Sequence, residues 1–438
     1  MAETLERAPA DDDGRVAERG PETAPLTPLD IDSRSSSLVC ASILAALKAA
    51  GCDAAGLSYS VNDGRFSASR VVADILESAP DEAMVAFGVF ISYVAGGLEK
   101  LYPLADVFIR GYAEESLCEL SSAEERKPTI VGVHYAGDPD LGLKSETKDL
   151  ASAASPYISG VIQPQKFIRL ETQRGCPFRC NFCQHRSAES RYRPERFEDS
   201  RVRSEIELLV RSGVVEDIAV LDPTFNAPKS GYLGYIALFA ELGYSGRLRS
   251  RFELVKDEYL DAVCRLNRTG HVLLEFGLQT THRAEAAAIQ RPNNMKKVAE
   301  TIAKLQDRGI DFEVSLIFGL PLQTIASFSA SVQELLDLGA PTIKAFPLML
   351  LRGTELQVQG PEKYGLVESR TEGALCASLD RSHGGGDNIP VVVQSNSFTH
   401  DDWRRMNDIA NALAATEHRH PRTVNDLLLA EAPSFPIE

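Results

Sequence analysis

The sequence predicts an α/β fold with an N-terminal Rossmann-like domain, a partial (β/α)6 TIM-like barrel and a small C-terminal extension. One observation is that apolar, β-branched runs alternate with helical stretches from about residue 27 to about residue 360. Such alternation favours parallel sheets covered by helices. The other is the length of 438 residues, which allows about two to three domains with a large core. The predicted domains span 27–165, 166–360 and 361–438.

The N-terminal boundary is predicted from a change in composition. Residues 1–26 are acidic, rich in Pro and Ala and without periodicity, which predicts a disordered tail. An apolar helix is predicted over 38–48, ending at Gly51, because glycine is favoured just after a helix. The other elements predicted for this domain are a helix at 68–78 and strands at 54–60, 83–92, 105–110 and 129–134.

The barrel region is predicted to contain six strands, with a helix at 200–212 after the first. These strands are predicted at 167–172, 218–222, 248–254, 272–280, 312–321 and 343–348. Polar residues at the C-terminal end of a barrel strand face the ligand side. Asp222, Thr224 and Asn226 follow the second strand and Glu253 lies near the end of the third, so all four are candidate pocket residues. For Thr224 and Asn226 the alternative is a helix N-cap.

Composition narrows the class of protein. The chain has 46 basic and 62 acidic residues, a net charge of -16. An acidic protein is poorly suited to neutralising phosphates, so a nucleic-acid partner is not expected. The sequence contains no apolar run near the roughly 20 residues of a membrane span and no signal-peptide pattern. These two features, and the reducing conditions that the cysteine cluster described next would need, predict a cytoplasmic protein.

One short segment carries the chemistry. Cys176, Cys180 and Cys183 are spaced C-x3-C-x2-C directly after a predicted strand. Closely spaced thiolates are typical ligands of iron–sulfur clusters. Three thiolates are one fewer than a cubane [4Fe–4S] cluster needs, which leaves one iron open for another ligand. The alternative is a zinc site completed by His185.

The segment resembles the cluster loop of the radical S-adenosylmethionine (radical SAM) enzymes, and later phrases resemble that family in the same order. These phrases are DPTFN at 222–226, GLQT at 277–280, GLP at 319–321 and RGTEL at 352–356. The resemblance implies a [4Fe–4S] cluster held by the three cysteines, with SAM chelating the open iron. It also implies that further residues approach SAM: the aromatic Phe182, the Gln279-Thr280 strand end, Arg291, and the Gly319–Pro321 bend beside the adenine.

The N-terminal domain resembles the cobalamin-binding domain that precedes many radical SAM cores, particularly over 105–117 and 155–162. Two departures argue against bound cobalamin. The D-x-H-x-x-G cobalt-ligating motif is absent, and the domain is about one βα unit shorter than its relatives. The alternatives of a retained cofactor and a vestigial domain therefore both stay open.

The resemblance implies a function based on a 5'-deoxyadenosyl radical that takes hydrogen from a small, polar secondary metabolite. The shortened domain and the compact length favour this hydrogen abstraction over methylation. The overall design resembles the radical SAM dehydratases of apramycin biosynthesis, which implies dehydration or deoxygenation of an aminoglycoside sugar together with a separate reductase. Cobalamin-dependent C-methylation is the alternative, and a non-catalytic metal-binding scaffold is a third. Flavodoxin or ferredoxin is the expected electron donor.

Overall fold

The computed structural model describes most of the chain from residue 38 onward. The described residues are 38–51, 57–62, 66–71, 85–87, 96–101, 105–125, 127–142, 150–185, 195–227, 231–351, 353–372, 376 and 390–430. The predicted tail at 1–26 lies outside them.

The N-terminal region begins with the predicted apolar helix, α1 (Leu38–Ala49). It continues with a hairpin in which β1 (Leu57–Asn62) pairs antiparallel with β2 (Phe66–Val71). The predicted helix at 68–78 is therefore wrong over residues 68–71. The intervening Asp63-Gly64 is a dipeptide typical of tight hairpin turns, and that signal outweighs the helical pattern assigned to the residues after it.

A three-stranded sheet follows, in the order β3 (Val85–Phe87), β4 (Val107–Ile109) and β5 (Val133–Tyr135). Strands β3 and β4 are parallel as predicted, but β5 runs antiparallel to β4, so the sheet is mixed. Two helices accompany it, α2 (Leu98–Leu101) and α3 (Ala113–Ser121). Helix α3 packs its buried Leu117 into the same core as Ile43 of α1.

The barrel region contains a six-stranded, wholly parallel sheet, as predicted. Its neighbours follow the chain order β6, β9, β10, β11, β12, β13. The strands are β6 (Phe167–Leu170), β9 (Asp217–Val220), β10 (Ser245–Ser250), β11 (His271–Gln279), β12 (Phe312–Phe318) and β13 (Ile343–Pro347). The third strand ends at Ser250 rather than at 254, because residues Phe252–Leu254 form a 3-10 turn.

Helices connect these strands, and a small ribbon of β7 (Gln173–Arg174) and β8 (Glu195–Arg196) lies beside the first. The helices are α4 (Asp199–Arg211), α5 (Tyr232–Leu242), α6 (Asp257–Leu266), α7 (Arg283–Ala288), α8 (Met295–Asp307) and α9 (Ile325–Asp337). One sheet face is buried and apolar, as at Leu274 and Phe276 of β11. The other face carries charged pairs such as Arg249–Glu275, whose Nε and Oε2 atoms lie 3.2 Å apart.

The C-terminal extension packs against the last strands of the sheet. It comprises α10 (Glu355–Tyr364), β14 (Val367–Ser369), β15 (Val391–Gln394), α11 (His400–Ala415) and α12 (Val424–Leu429). The Val392 amide donates to the Leu348 carbonyl at 2.8 Å, and the fully buried Trp403 packs beside Phe318. Within the described residues, no helix is both long and apolar enough to cross a membrane.

Candidate active site at the cysteine loop

The three cysteines lie on a loop that leaves the C-terminal end of the barrel strand β6. Gly175 takes a left-handed φ of 89°, a conformation that glycine adopts without steric cost, and it turns the chain into the loop. Cys180 is buried, whereas Cys176 and Cys183 are half-buried. All three are free thiols, on the ligand side of the barrel.

Burial raises the pKa of two of the cysteines, Cys176 and Cys183. Removal from water raises the pKa of Cys183 to about 11, and the charges of Cys180 and Cys176 add to the increase. Burial also raises the pKa of Cys176, while the positive charge of Arg251 opposes the increase. Because thiolate is the metal-binding form, the set suits a cationic centre that displaces the protons.

A single zinc ion would need its ligands to converge on one point. Among the described residues, no three His, Cys, Asp or Glu side chains converge as the ligands of one ion do. A cubane cluster bonds each cysteine to a different iron atom, so its three cysteines need not converge on one point.

The second half of the loop is fastened to the barrel. The Asn181 amide donates to the Ile289 carbonyl at 3.2 Å, and the Leu356 amide donates to the Asn181 carbonyl at 3.0 Å. The Asn181 side-chain amide donates to the Ala288 carbonyl at 2.8 Å. These bonds attach the centre of the loop to the segment after β11 and to the start of α10.

Arg291, one of the predicted residues, is brought directly to the loop. Its Nη1 lies 3.6 Å from Cys180 Sγ, and its Nη2 donates to the Gly277 carbonyl. Gly277 lies close to the Gln279 side chain, since an added Cβ would be 2.7 Å from Gln279 Nε2. Half-buried Gln279 has a left-handed φ of 75°. The GLQT strand end, Arg291 and the loop therefore form one contact region.

Of the predicted residues that follow the second barrel strand, Asp222 and Thr224 contact different parts of the site. Asp222 is fully buried and accepts hydrogen bonds from Thr172 Oγ1 at 2.5 Å and from the Thr172 and Gln173 amides. It joins the ends of the first two barrel strands. Thr224 Oγ1 lies 3.7 Å from Cys176 Sγ, so of this group it is Thr224 that contacts a cysteine.

Asn226 positions a residue that the sequence reasoning missed, Arg251. The Asn226 side chain accepts from the Arg251 amide at 2.9 Å and donates to its carbonyl at 3.1 Å. The buried Arg251 guanidinium stacks on Phe178 of the cysteine loop, 3.9 Å from the ring centroid, and its Nε donates to Glu253 Oε2 at 3.0 Å. Neither Asn226 nor Thr224 caps a helix, because both lie in a turn.

The remaining predicted residues fall into two groups. Thr280 is buried and donates to Glu285 at 2.6 Å, and Gln323 links Glu285 to the amides of Gly319 and Leu320. An added Cβ at Gly319, whose φ is 86°, would lie 3.1 Å from the Val392 carbonyl, so this glycine is covered by the C-terminal extension.

Pro321 is buried beside Gly319, and Phe182 packs half-buried against the core. For Gly319, Pro321 and Phe182, a place beside adenine stays a prediction.

The first half of the loop is fastened to the N-terminal domain through Arg174, which the sequence reasoning did not single out. Its Nη2 lies 2.8 Å from Glu114 Oε1 of α3, and its Nε lies 3.2 Å from Glu171 Oε2. The guanidinium lies between two rings, 4.9 Å from the centroid of Tyr112 and 5.4 Å from that of Phe197. In the sequence, the dipeptide Arg174-Gly175 before Cys176 gives no indication that Arg174 pairs with Glu114, 60 residues earlier.

Comparison with known proteins agrees with this geometry. The model of the radical SAM superfamily matches residues 170–335. A radical SAM domain occupies that stretch. It begins in β6, contains the cysteine loop and ends in α9.

Relatives extend the similarity beyond this domain. The cobalamin-dependent radical SAM methyltransferase TokK of Streptomyces tokunonensis is 27% identical over 367 residues, covering 76% of this chain and 52% of the relative. A 2-(S-pantetheinyl)-carbapenam-3-carboxylate methyltransferase of Streptantibioticus cattleyicolor is 26% identical, and the match again covers 76% of this chain and 52% of the relative. The chain thus spans about half the length of these curated relatives.

A solved structure shows the same fold. The radical SAM methyltransferase TsrM of Kitasatospora setae, with tryptophan and a SAM analogue bound, superposes with a TM-score of 0.59 and 17% identity. The match covers 78% of this chain and 74% of TsrM.

Proposed function

We propose that the protein is a cobalamin-dependent radical SAM methyltransferase that acts on a small molecule. The observation that carries the proposal is the similarity to TokK, which covers 76% of the chain and therefore extends well beyond the 170–335 domain. Methyl transfer was the alternative in the sequence reasoning. The similarity to two named methyltransferases now favours methyl transfer over dehydration of an aminoglycoside sugar. Neither of these two relatives is named as a dehydratase.

Unpaired buried groups around the cysteine loop support a SAM site. Arg251 Nη1, Arg291 Nε and Glu253 Oε1 are buried without a hydrogen-bond partner, and such groups are costly unless a ligand satisfies them. SAM carries an amino and a carboxylate group on one carbon. The two guanidinium groups suit its carboxylate and Glu253 suits its ammonium.

The residues then have distinct tasks. When bound, the cluster supplies the electron that splits SAM into methionine and a 5'-deoxyadenosyl radical, and cobalamin carries the methyl group. Cys176, Cys180 and Cys183 would hold the cluster. Asn226 fixes the backbone of Arg251, and Arg291 spans from the strand end at Gly277 to Cys180, so both guanidinium groups are positioned before SAM arrives.

The position of the N-terminal sheet supports the cobalamin part. Ligands of parallel α/β sheets bind outside the carboxyl ends of the strands. Strand β4 ends at Ile109, and the residues directly after it include Tyr112 and Glu114, which contact Arg174 beside the cysteine loop. A cofactor at this edge would lie next to the SAM site, as methyl transfer requires.

The first experiment is anaerobic reconstitution with iron and sulfide, followed by absorbance spectroscopy and an assay of 5'-deoxyadenosine with SAM and either dithionite or flavodoxin. We expect a cluster spectrum and 5'-deoxyadenosine from the wild type, and neither from Cys180→Ala. Cys264→Ala removes a thiol on helix α6 and is the matched control. Normal 5'-deoxyadenosine formation by Cys180→Ala would refute the cluster assignment.

A second experiment tests cobalamin separately. Hydroxocobalamin is added to the reconstituted protein, and the retained cofactor is quantified by absorbance after gel filtration. We expect about one equivalent per chain. A protein that forms 5'-deoxyadenosine but retains no cobalamin would be a radical SAM enzyme of another reaction type.

A further inference from the structure

We infer that Arg174 is a positioning residue through which the N-terminal domain sets the conformation of the cluster loop. Arg174 lies two residues before Cys176, and its side chain is only 10% exposed. It is therefore placed to move the first cysteine if its own surroundings move.

The contacts of Arg174 join two domains at one point. Glu114, which is 13% exposed, belongs to the first turn of α3 in the N-terminal domain. Glu171 belongs to the segment after β6 in the barrel. The Tyr112 ring on one domain and the Phe197 ring on the other both contact the guanidinium. A planar guanidinium can bond two carboxylates and stack on rings at once, which an ammonium cannot.

The pairing is strong enough to matter because it is buried. The Arg174 and Glu114 side chains are both largely buried, and Glu171 adds a second carboxylate 3.2 Å from Arg174 Nε. Removing one partner from a buried ion pair leaves a charge that must find another arrangement. Only Gly175, which has a left-handed φ, separates Arg174 from Cys176 along the chain. A new arrangement of Arg174 is therefore transmitted to the loop.

The other half of the loop has different partners. Asn181 and Arg291 fasten it to the segment after β11 and to the start of α10. The N-terminal domain thus acts on the Cys176 side of the site. The residues that make this contact directly follow β4, at the edge where a cofactor of that domain would bind.

The test compares Glu114→Gln with Glu119→Gln in the reconstituted full-length protein. Glu119 is exposed on the same helix and is the control. We expect cluster iron to be lost to a chelator about tenfold faster in Glu114→Gln, as is typical of changes just outside metal ligands. We also expect an altered electron paramagnetic resonance spectrum of the reduced cluster. Glu119→Gln should match the wild type in both readouts.

Arg174→Lys provides the second variant, because it keeps the charge and loses the bridging geometry. It is expected to resemble Glu114→Gln. If Arg174→Lys and Glu114→Gln melt at the wild-type temperature and both give wild-type iron loss and spectra, the inference is wrong. A wild type that takes up no cluster refutes instead the proposed function, so the two failures are distinguishable.

Discussion

The six-stranded barrel sheet and the three-stranded N-terminal sheet are built on different principles. The barrel sheet has six parallel strands in chain order, with a continuous apolar face. The N-terminal sheet has three strands of three residues each, one of them antiparallel. Beside it, the buried Arg110 pairs with the half-buried Asp140. We therefore expect a substitution between the barrel strands to destabilise the fold most, and loss of this ion pair to act locally on the sheet of short strands.

The largest effect is expected from Gly246→Ala in the barrel. A Cβ on Gly246 would lie 2.0 Å from the Ile218 carbonyl oxygen of the neighbouring strand, so β9 and β10 would have to separate. We expect the free energy of unfolding to fall by about 4 kcal/mol or more, measured by chemical denaturation. The control is Gly234→Ala in α5, where a Cβ meets nothing within 4 Å. It should stabilise slightly, and an equal loss in both variants would contradict the packing argument.

A smaller and local effect is expected from Asp140→Asn. Arg110 is 2% exposed, and loss of its carboxylate partner costs about 3 kcal/mol by analogy with other buried pairs. Hydrogen exchange should therefore increase over 105–142 and stay unchanged in the barrel. Asp138→Asn removes an exposed pair with Lys127 and should change stability by less than about 1 kcal/mol. Equal loss of protection in the barrel would show that the two sheets unfold as one unit.

The third expected effect is a difference in pH dependence between the carboxyl groups of Asp222 and Asp140. Burial raises the pKa of Asp222 to about 7, with the charge of Glu171 adding to it, although its hydrogen bonds oppose the shift. For Asp140, burial also opposes ionisation, but the hydrogen bonds and charge of Arg110 lower the net pKa. Because its pKa is higher in the folded protein than in the unfolded chain, Asp222 contributes its full stabilisation below about pH 4. That contribution is lost as the pH rises through about 7.

We therefore expect the stability of the wild type relative to Asp222→Asn to fall between pH 4 and 7, by up to about 1.4 kcal/mol per pH unit. Relative to Asp140→Asn, it should instead fall on acidification below about pH 4. Denaturation midpoints across this range provide the measurement. If the stability of the wild type relative to Asp222→Asn instead rises with pH, the three hydrogen bonds to Asp222 lower its pKa by more than burial raises it.

Sequence reasoning predicted the barrel better than the N-terminal domain for a physical reason. Strands such as β11 alternate buried and half-buried residues over nine positions, which gives a long periodic signal. Three-residue strands give almost none, and the direction of β5 depends on tertiary contacts. The helix predicted at 68–78 is wrong over 68–71, which belong to β2, although the preceding Asp63-Gly64 dipeptide is a hairpin signal.

The site shows the same division between local and distant information. The cysteine spacing could be identified because its pattern is local in sequence, and Arg291 was implied by the family resemblance. The role of Arg251 depends on Asn226, 25 residues earlier, and that of Arg174 depends on Glu114, 60 residues earlier. Glu205 of helix α4 is buried, and its Oε1 lies 3.0 Å from Arg201 Nε. Contacts of this kind carry no periodic signal.

The central claim, methyl transfer through cobalamin, can be tested without knowing the substrate. The reconstituted protein is incubated under strong reductant with hydroxocobalamin and SAM that carries a deuterated methyl group, and the bound cobalamin is analysed by mass spectrometry. The proposed function predicts about one labelled methyl group on the cobalamin, with one equivalent of S-adenosylhomocysteine. Formation of 5'-deoxyadenosine with an unlabelled cobalamin, and without S-adenosylhomocysteine, would contradict it.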